Sequence, residues 1–507
     1  AHRFARAVSV LIAAAGGPPR WRSLLGRARE APARSSDALW IAAIGLALRI
    51  AVAVWAADKF PPTDDGHFYQ IVADRIAHGQ GYTWLWPDGA VSYAAHYPIG
   101  YPALLGGAYA LFGSRPVIAM IVNALLGAGA VFGAHRLAAA SVGRLGAALG
   151  ALLVALHPGL VFYTPALMTE GIAAALVTLG AWLSWRAASR GPGALIGAGL
   201  MLGLATLVRP QLLLAVPLLG LMASAAGATA SRRVKRALLL TALSLLTCLP
   251  WTVRNCARLE RCAFVSANGG WNLLIGTAER GRGGWVPLET LGVPEECRSV
   301  FGEADKDHCF GRAALRRIAE HPVRWLLLVP AKLMMTFEYS GAAAYYLHAA
   351  NGSAFSDADK RALGASETVY ERLVLLLALF ALWKLPGPRA RARRLLALLS
   401  GVCVLLPLAW LGHLGLLASA LLLGARLFRH PAVVAAASVV FATALTHAVF
   451  FGAGRYGLVA FAVLGSMAGL ALFGSPAERK AETELFDRQT ASGDTRAAGD
   501  TDAADRN

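Results

Sequence analysis

Two adjacent carboxylates, Asp64 and Asp65, sit in a polar stretch running from Pro61 to Pro102 between strongly apolar segments. A carboxylate can take a proton from a hydroxyl or orient it, so a pair kept at the edge of an apolar segment is a candidate for base chemistry. The competing reading is a helix N-cap, for which one Asp suffices. Glu170 opens a later apolar run after HPGLVFYTPALMTEG, where a negative charge also suits a helix N-terminus. Three arginines hold comparable places: Arg209 in GLATLVRPQLL, Arg254 in PWTVRN, and Arg455 beside Tyr456 in GAGRYG. Arg209, beside a proline break, either binds a carboxylate or phosphate or snorkels to the interface. Cations at the ends of apolar runs are costly unless an anion meets them, and a lipid-borne phosphate is the economical common partner.

Other chemistries lack their residues. No GxxxxGK[ST] is present, and no strand–GxGxxG–helix context, so the turn-forming stretch VSANGGWNLLIGTAERG is not a nucleotide loop; its Asn268 and Asn272 offer amide groups to a substrate instead. No HExxH or zinc-spaced Cys/His cluster occurs, and His96, His308, His321 and His348 read as scattered loop residues. No cofactor is expected, although a divalent metal on the carboxylates stays open. The six cysteines contain no CxxC pair; Cys256 with Cys262, and Cys297 with Cys309, are close enough to be either disulfides or free thiols.

The elements that must position these groups are membrane spans. The chain has 507 residues, 56% hydrophobic and 15% charged, and its apolar runs recur at roughly the 18 residues needed to cross a bilayer as helix. The net charge of +18 lies in short clusters between those runs, which fits positive-inside orientation rather than a nucleic-acid groove. Expected spans are 38–57, 116–138, 145–163, 169–188, 194–208, 211–227, 237–253, 369–385, 395–411, 413–428, 431–451 and 455–473. The chain then divides into a basic cytoplasmic segment 1–37, a transmembrane domain 38–473 with outer loops 58–115 and 254–368, and a tail 474–507. That tail carries eight acidic residues and reads as disordered. Residues 321–339 are apolar enough to insert, but a full crossing would invert the basic cluster Arg389–Arg394; a re-entrant or interface-lying helix avoids this. In the first loop, Phe68, Ile71, Val72 and Ile76 recur at helical spacing, and Tyr101–Phe112 follows the break at Pro98, Gly100 and Pro102, which predicts two amphipathic interface helices.

The strings DDGHFYQIVA, GQGY, HYPIGYPALL, ALHPGLVFYTPALMTEG, GLATLVRP, PWTVRN, SANGGWNLLIG and GRYG, in this order, resemble the GT-C glycosyltransferases that use polyprenyl-phosphate sugars, the group of the protein O-mannosyltransferases and lipid A aminoarabinose transferases. The resemblance covers residues 38–473. It implies an all-α polytopic membrane protein, a GT-C-like bundle of about 11–13 transmembrane helices in a bacterial inner membrane, with its active site facing the periplasm. It implies transfer of one sugar from a polyprenyl phosphate to a lipid, glycan or protein acceptor, among membrane lipids and without nucleic acid. In that family an Asp four residues before a Tyr in the first loop is the essential carboxylate, which selects Asp65 with Tyr69 and leaves Asp64 as a neighbour. Some members carry Lys or Arg before the Pro-Pro of the exit motif to hold the lipid phosphate. This chain has His96 and Tyr97 there, and Ile99 for the second Pro. The expected site is therefore Asp65, Asp64 and Glu170 for catalysis, Arg209, Arg254, Arg455, Tyr456, His96 and Tyr97 around the donor phosphate, and Tyr69, Asn268 and Asn272 on the substrate loops. A transporter or flippase of a lipid-linked substrate, or a lipid-glycan ligase, are the competing classes. A transporter would show repeated, matching interrupted segments, whereas the long loops here follow only the first and seventh spans.

Overall fold

The computed structural model describes residues 31–472 apart from positions 226, 339 and 340. Most of the expected basic segment and the whole tail 474–507 lie outside the described residues. The fold is an all-α polytopic bundle. Its principal helices are α1 (Ser35–Ala56), α2 (Asp65–Ala77), α3 (Gly100–Phe112), α4 (Pro116–Ala138), α5 (Arg144–Ala155), α6 (Glu170–Arg190), α7 (Pro192–Val208), α8 (Ala230–Arg258), α9 (Glu303–Glu320), α10 (Val329–Phe337), α11 (Ala342–Ala350), α12 (Asp357–Lys384), α13 (Ala390–Leu405), α14 (Ala409–Leu421), α15 (Pro431–Val449) and α16 (Phe461–Leu472). Among the described residues, six helical stretches are long and apolar enough to cross a membrane, and four apolar stretches are shorter.

The expected span 413–428 ends as α-helix at Leu421 and continues as the 3-10 turn Gly424–Arg429, and 455–473 opens as the 3-10 turn Gly454–Ala460; two other departures occur where the sequence carries prolines. The stretch read as 145–163 stops at Ala155 and restarts after His157 as the short helix Pro158–Phe162. The stretch read as 211–227 is a 3-10 turn, Pro210–Ala215, followed by Val216–Leu221. Both breaks follow from the missing N–H and fixed φ of proline. Residues 321–339 divide into Pro322–Leu327 and α10, and neither piece approaches the roughly 20 residues of a crossing. Lys332 on α10 is buried, and its ammonium donates to Val449 O at 3.1 Å and Ala448 O at 3.4 Å, at the carbonyl-rich C-terminal end of α15.

Helices pack closely where small residues meet. On α5, Gly146 and Gly150 face Gly465 and Gly469 of α16: a Cβ on Gly469 would lie 2.3 Å from Gly146 O, and one on Gly150 would lie 3.0 Å from Gly465 O. Two small-xxx-small pairs therefore bring the backbones together where apolar side chains would hold them apart. At the N-terminal end of α5, Arg144 forks onto Asp37 at 2.8 and 2.7 Å, tying the starts of α1 and α5.

The segment 58–115 contains two helices where the sequence places them, α2 and α3; α3 carries no charged residue and is apolar on its exposed side too, with Leu104, Leu111 and Phe112 exposed, so it is not the expected amphipathic helix. Between them lies an antiparallel hairpin, Thr83–Leu85 with Val91–Tyr93, which the sequence reading does not include. The residues α2 buries, Tyr69, Val72 and Ala73, are spaced for one helix face.

Candidate active site

The site is assembled from breaks in helices. Asp65 is the first residue of α2, Glu170 the first of α6, Arg209 the junction between α7 and the turn at Pro210, and Arg455 lies in the 3-10 turn Gly454–Ala460 after α15. Irregular backbone inside a helical bundle is tolerated where it lines a cavity, because its freed polar groups need partners. Here they line one: a cavity of about 380 Å³ bounded by Asp65, Tyr69, His96, Tyr97, Glu170, Arg209, Asn268, Asn272, Arg455 and Tyr456, with Trp271, Trp285, Phe450 and Phe451 as aromatic walls. One close approach sets the exit motif against Arg209. A Cβ at Gly100 would lie 2.7 Å from the Leu207 carbonyl, so only glycine lets the start of α3 rest on the end of α7.

Four charges alternate through the site. Arg455 Nη1 lies 2.9 Å from Asp65 Oδ2, and its Nε lies 3.5 Å from Glu170 Oε1. The same Glu170 oxygen receives Arg209 Nη1 at 2.6 Å. Tyrosines complete both carboxylates: Tyr97 OH donates to Asp65 Oδ1 at 2.6 Å, and Tyr163 OH donates to Glu170 Oε2 at 2.7 Å. Arg209 also donates to Thr169 Oγ1 at 3.0 Å and, with the Gln211 amide turned to accept, reaches that oxygen from Nε and Nη2 at 3.0 and 3.1 Å. Arg455 Nη1 further donates to Tyr346 OH at 2.5 Å. Tyr456 lies under both guanidiniums, 5.0 Å from Arg209 and 5.1 Å from Arg455.

The adjacent carboxylates are driven apart. Burial pushes the Asp65 carboxyl up, but the Arg455 cation and the Tyr97 hydrogen bond outweigh it and hold the group below the usual range. Burial, and then the charge on Asp65, push Asp64 up. Burial and the Asp65 charge also raise Tyr97, which keeps its phenol a proton donor. Asp65 is thus charged at neutral pH and holds its place as an acceptor.

Two expected residues lie elsewhere. Asp64 is exposed, does not line the cavity, and takes a positive φ of 51° just before α2; its side chain makes no capping bond. It turns the chain so that Asp65 enters the site. Arg254 also stands outside the cavity lining, and it spends its donors on the Ala94 carbonyl at 2.9 Å, the Tyr82 carbonyl at 2.7 Å and Asn255 Oδ1 at 3.0 Å. It clamps the hairpin region to the end of α8. His96 lines the cavity edge-on to Trp271, while Glu303 accepts its backbone N–H at 2.9 Å. Asn268 accepts from Ser266 Oγ at 2.9 Å, and Asp307 accepts the Trp271 N–H at 2.8 Å, fixing the substrate-loop wall. Both cysteine pairs are bridged, Cys256–Cys262 and Cys297–Cys309, in the loop that supplies this wall. The sequence reading missed Tyr163, Thr169, Gln211 and Tyr346. Tyr163 has a visible signal, since it falls seven residues before Glu170 in a quoted motif. Tyr346 has none.

Fold and site together define a polytopic helical membrane protein with a charged cavity built at its helix breaks. A family model described as dolichyl-phosphate-mannose-protein mannosyltransferase matches residues 96–253, a segment that contains Tyr97, Glu170 and Arg209. The family read from the motifs and the family matched by this segment agree. No curated protein sequence matches the chain. Among solved structures, the Archaeoglobus fulgidus oligosaccharyltransferase in its apo form is similar at 15% identity with a TM-score of 0.46, covering 90% of this chain and 52% of that one. ArnT from Cupriavidus metallidurans bound to undecaprenyl phosphate is similar at 16% identity with a TM-score of 0.38, covering 85% of this chain and 77% of that one. The chain spans about half the length of the archaeal oligosaccharyltransferase chains.

Proposed function

We propose that the chain is a glycosyltransferase that moves a single sugar from a polyprenyl-phosphate donor to an acceptor hydroxyl or phosphate at the outer, periplasmic side of a bacterial inner membrane. The carrying observation is that Asp65, Arg455 and Arg209 border one cavity. A base and two phosphate-binding cations are thereby within reach of one lipid-borne sugar. A sugar on a phosphate already has a good leaving group, so no general acid is needed. Arg455 and Arg209 meet the charge that grows on the departing phosphate. Asp65 takes the proton from the acceptor, or orients it, as the acceptor oxygen attacks the anomeric carbon. One displacement predicts inversion at that carbon. Glu170 keeps the two arginines in place and compensated, and Asn268, Asn272, His96 and Trp271 face the sugar.

An apolar groove supports a lipid donor. Ile99, Gly100, Ala103, Leu104, Leu204, Leu207, Thr247, Pro250 and Trp251 line it between α3, α7 and α8. Ile99 and Leu207 are each two residues from a cavity-lining residue, Tyr97 and Arg209, so a prenyl chain in the groove would deliver its phosphate to the arginines. The cross-linked cysteines of the 254–368 loop suit an oxidising outer face. The test incubates purified protein with a panel of polyprenyl-phosphate monosaccharides and scores release of the free lipid phosphate. Release from at least one member, dependent on an added acceptor, is the expected result; release from none, with lipid diphosphate glycans used instead, would replace this reading with that of a ligase.

A further inference from the structure

Asp65 has no idle oxygen. Tyr97 donates to Oδ1, and Arg455 sits on Oδ2. A carboxylate engaged this way is a poor proton acceptor, because both partners favour its charged form. The partners are not equivalent. The Tyr97 ring is packed among Phe68 at 4.8 Å, Tyr69 at 5.3 Å and His96 at 4.8 Å, just ahead of Pro98, so its hydroxyl cannot leave without dismantling that stack. Arg455 lies in a turn and has other acceptors in Tyr346, Tyr456 and Glu170. It can give up one contact and keep the rest.

We propose that Tyr97 is the positioning residue of Asp65, holding Oδ1 fixed, while the donor phosphate draws Arg455 off Oδ2 and so exposes the atom that takes the acceptor's proton. The inference rests on the glycosyl-transfer reading and adds an order to it: the donor is seated before the acceptor is deprotonated. The acceptor O–H proton passes to Oδ2, the acceptor oxygen bonds the anomeric carbon, and the carbon–oxygen bond to phosphate breaks. Its electron pair stays on the phosphate, beside the arginine that has moved there. Tyr97 occupies the position at which the exit motif suggests a phosphate contact, but its hydroxyl is committed to the carboxylate.

The charged and titratable groups facing Asp65 are Arg455, Tyr97, His96 and Tyr69, with Asp64 next to it in the chain, Glu170 beyond Arg455, and Tyr346 and Tyr456 around the guanidinium. Two measurements decide the proposal. The first is binding of decaprenyl phosphate to wild type and Asp65→Asn in detergent. A phosphate that competes with Asp65 for Arg455 binds the variant about tenfold more tightly; equal or weaker binding overturns the sharing of Arg455. The second is turnover of Tyr97→Phe. The expected kcat is about tenfold lower, with the donor KM within about twofold and the acid limb of kcat/KM displaced upward by about one pH unit, since the charged form of Asp65 loses a hydrogen bond. A raised donor KM with an unmoved acid limb makes Tyr97 a phosphate contact and overturns its positioning role. Wild type that binds decaprenyl phosphate but turns over no polyprenyl-phosphate sugar breaks the glycosyl-transfer reading and the proton transfer assigned to Oδ2 with it, whereas the sharing of Arg455 is still decided by the binding comparison, which needs no turnover.

Discussion

The two carboxylates of the site are built alike and sit differently. Each receives one tyrosine hydroxyl, Tyr97 on Asp65 and Tyr163 on Glu170, but Asp65 meets one arginine, Arg455, whereas Glu170 meets both Arg209 and Arg455. Yet the Asp65 side chain is 21% exposed and that of Glu170 only 1%. The first can exchange a partner for a substrate atom. The second cannot, because moving it would strand two guanidiniums in a bundle with little water to solvate them. The same local chemistry thus gives an accessible carboxylate at the lip and a buried one a layer deeper, and access to the cavity separates them.

The comparison can be broken at several points. Asp65→Asn carries the largest expected effect, a loss of about 10²–10⁴ in turnover with unfolding stability in detergent changed by no more than about 1 kcal/mol. Turnover close to wild type would remove Asp65 from the chemistry. Glu170→Gln should show the opposite pattern, losing about 3–5 kcal/mol because Arg209 is left buried without a counter-charge. A thermal midpoint unchanged from wild type would demote Glu170 from keystone to bystander. The pH profile sharpens the contrast. As the proposed base, Asp65 is needed in its ionised form, and its carboxyl lies below the usual value of about 3.9, so kcat/KM should be full above that value and fall only as the pH drops below it. With saturating donor, Arg455 is engaged by phosphate, and the acid limb of kcat should lie higher. Coincident limbs would mean that donor binding leaves Asp65 untouched. The smallest effect is expected for Arg254→Gln, which loosens the hairpin by about 1–2 kcal/mol and leaves donor affinity within about twofold. A large loss of affinity there would return Arg254 to the phosphate.

Most of this site is legible in the sequence because its residues stand where helices must stop. Pro210 marks Arg209, the glycines of GAGRYG mark Arg455, and the polar stretch after Pro62 marks Asp65, so charge beside a breaker was a sufficient signal. The pairing was not legible. Tyr97 and Tyr346 take their partners from elements 32 and 109 residues away, and nothing in a local pattern says which acceptor a tyrosine will meet. Arg254 misled for a related reason: an arginine at a helix end satisfies backbone carbonyls as readily as a phosphate, and the hairpin that offers Tyr82 O and Ala94 O is too short and irregular to read from alternation. The spans at 145–163 and 211–227 were overextended because apolar composition alone ignores the backbone cost of Pro158, Pro210 and Pro217.

Leu104 and Leu204 on the walls of the apolar groove are both exposed, which in a bundle of this kind means exposed to acyl chains. A donor using this entrance arrives by diffusion in two dimensions. The quantity that governs occupancy is then its mole fraction among lipids, not its molarity. Rates measured in vesicles should stay constant when the suspension is diluted with buffer and fall when it is diluted with detergent or carrier phospholipid.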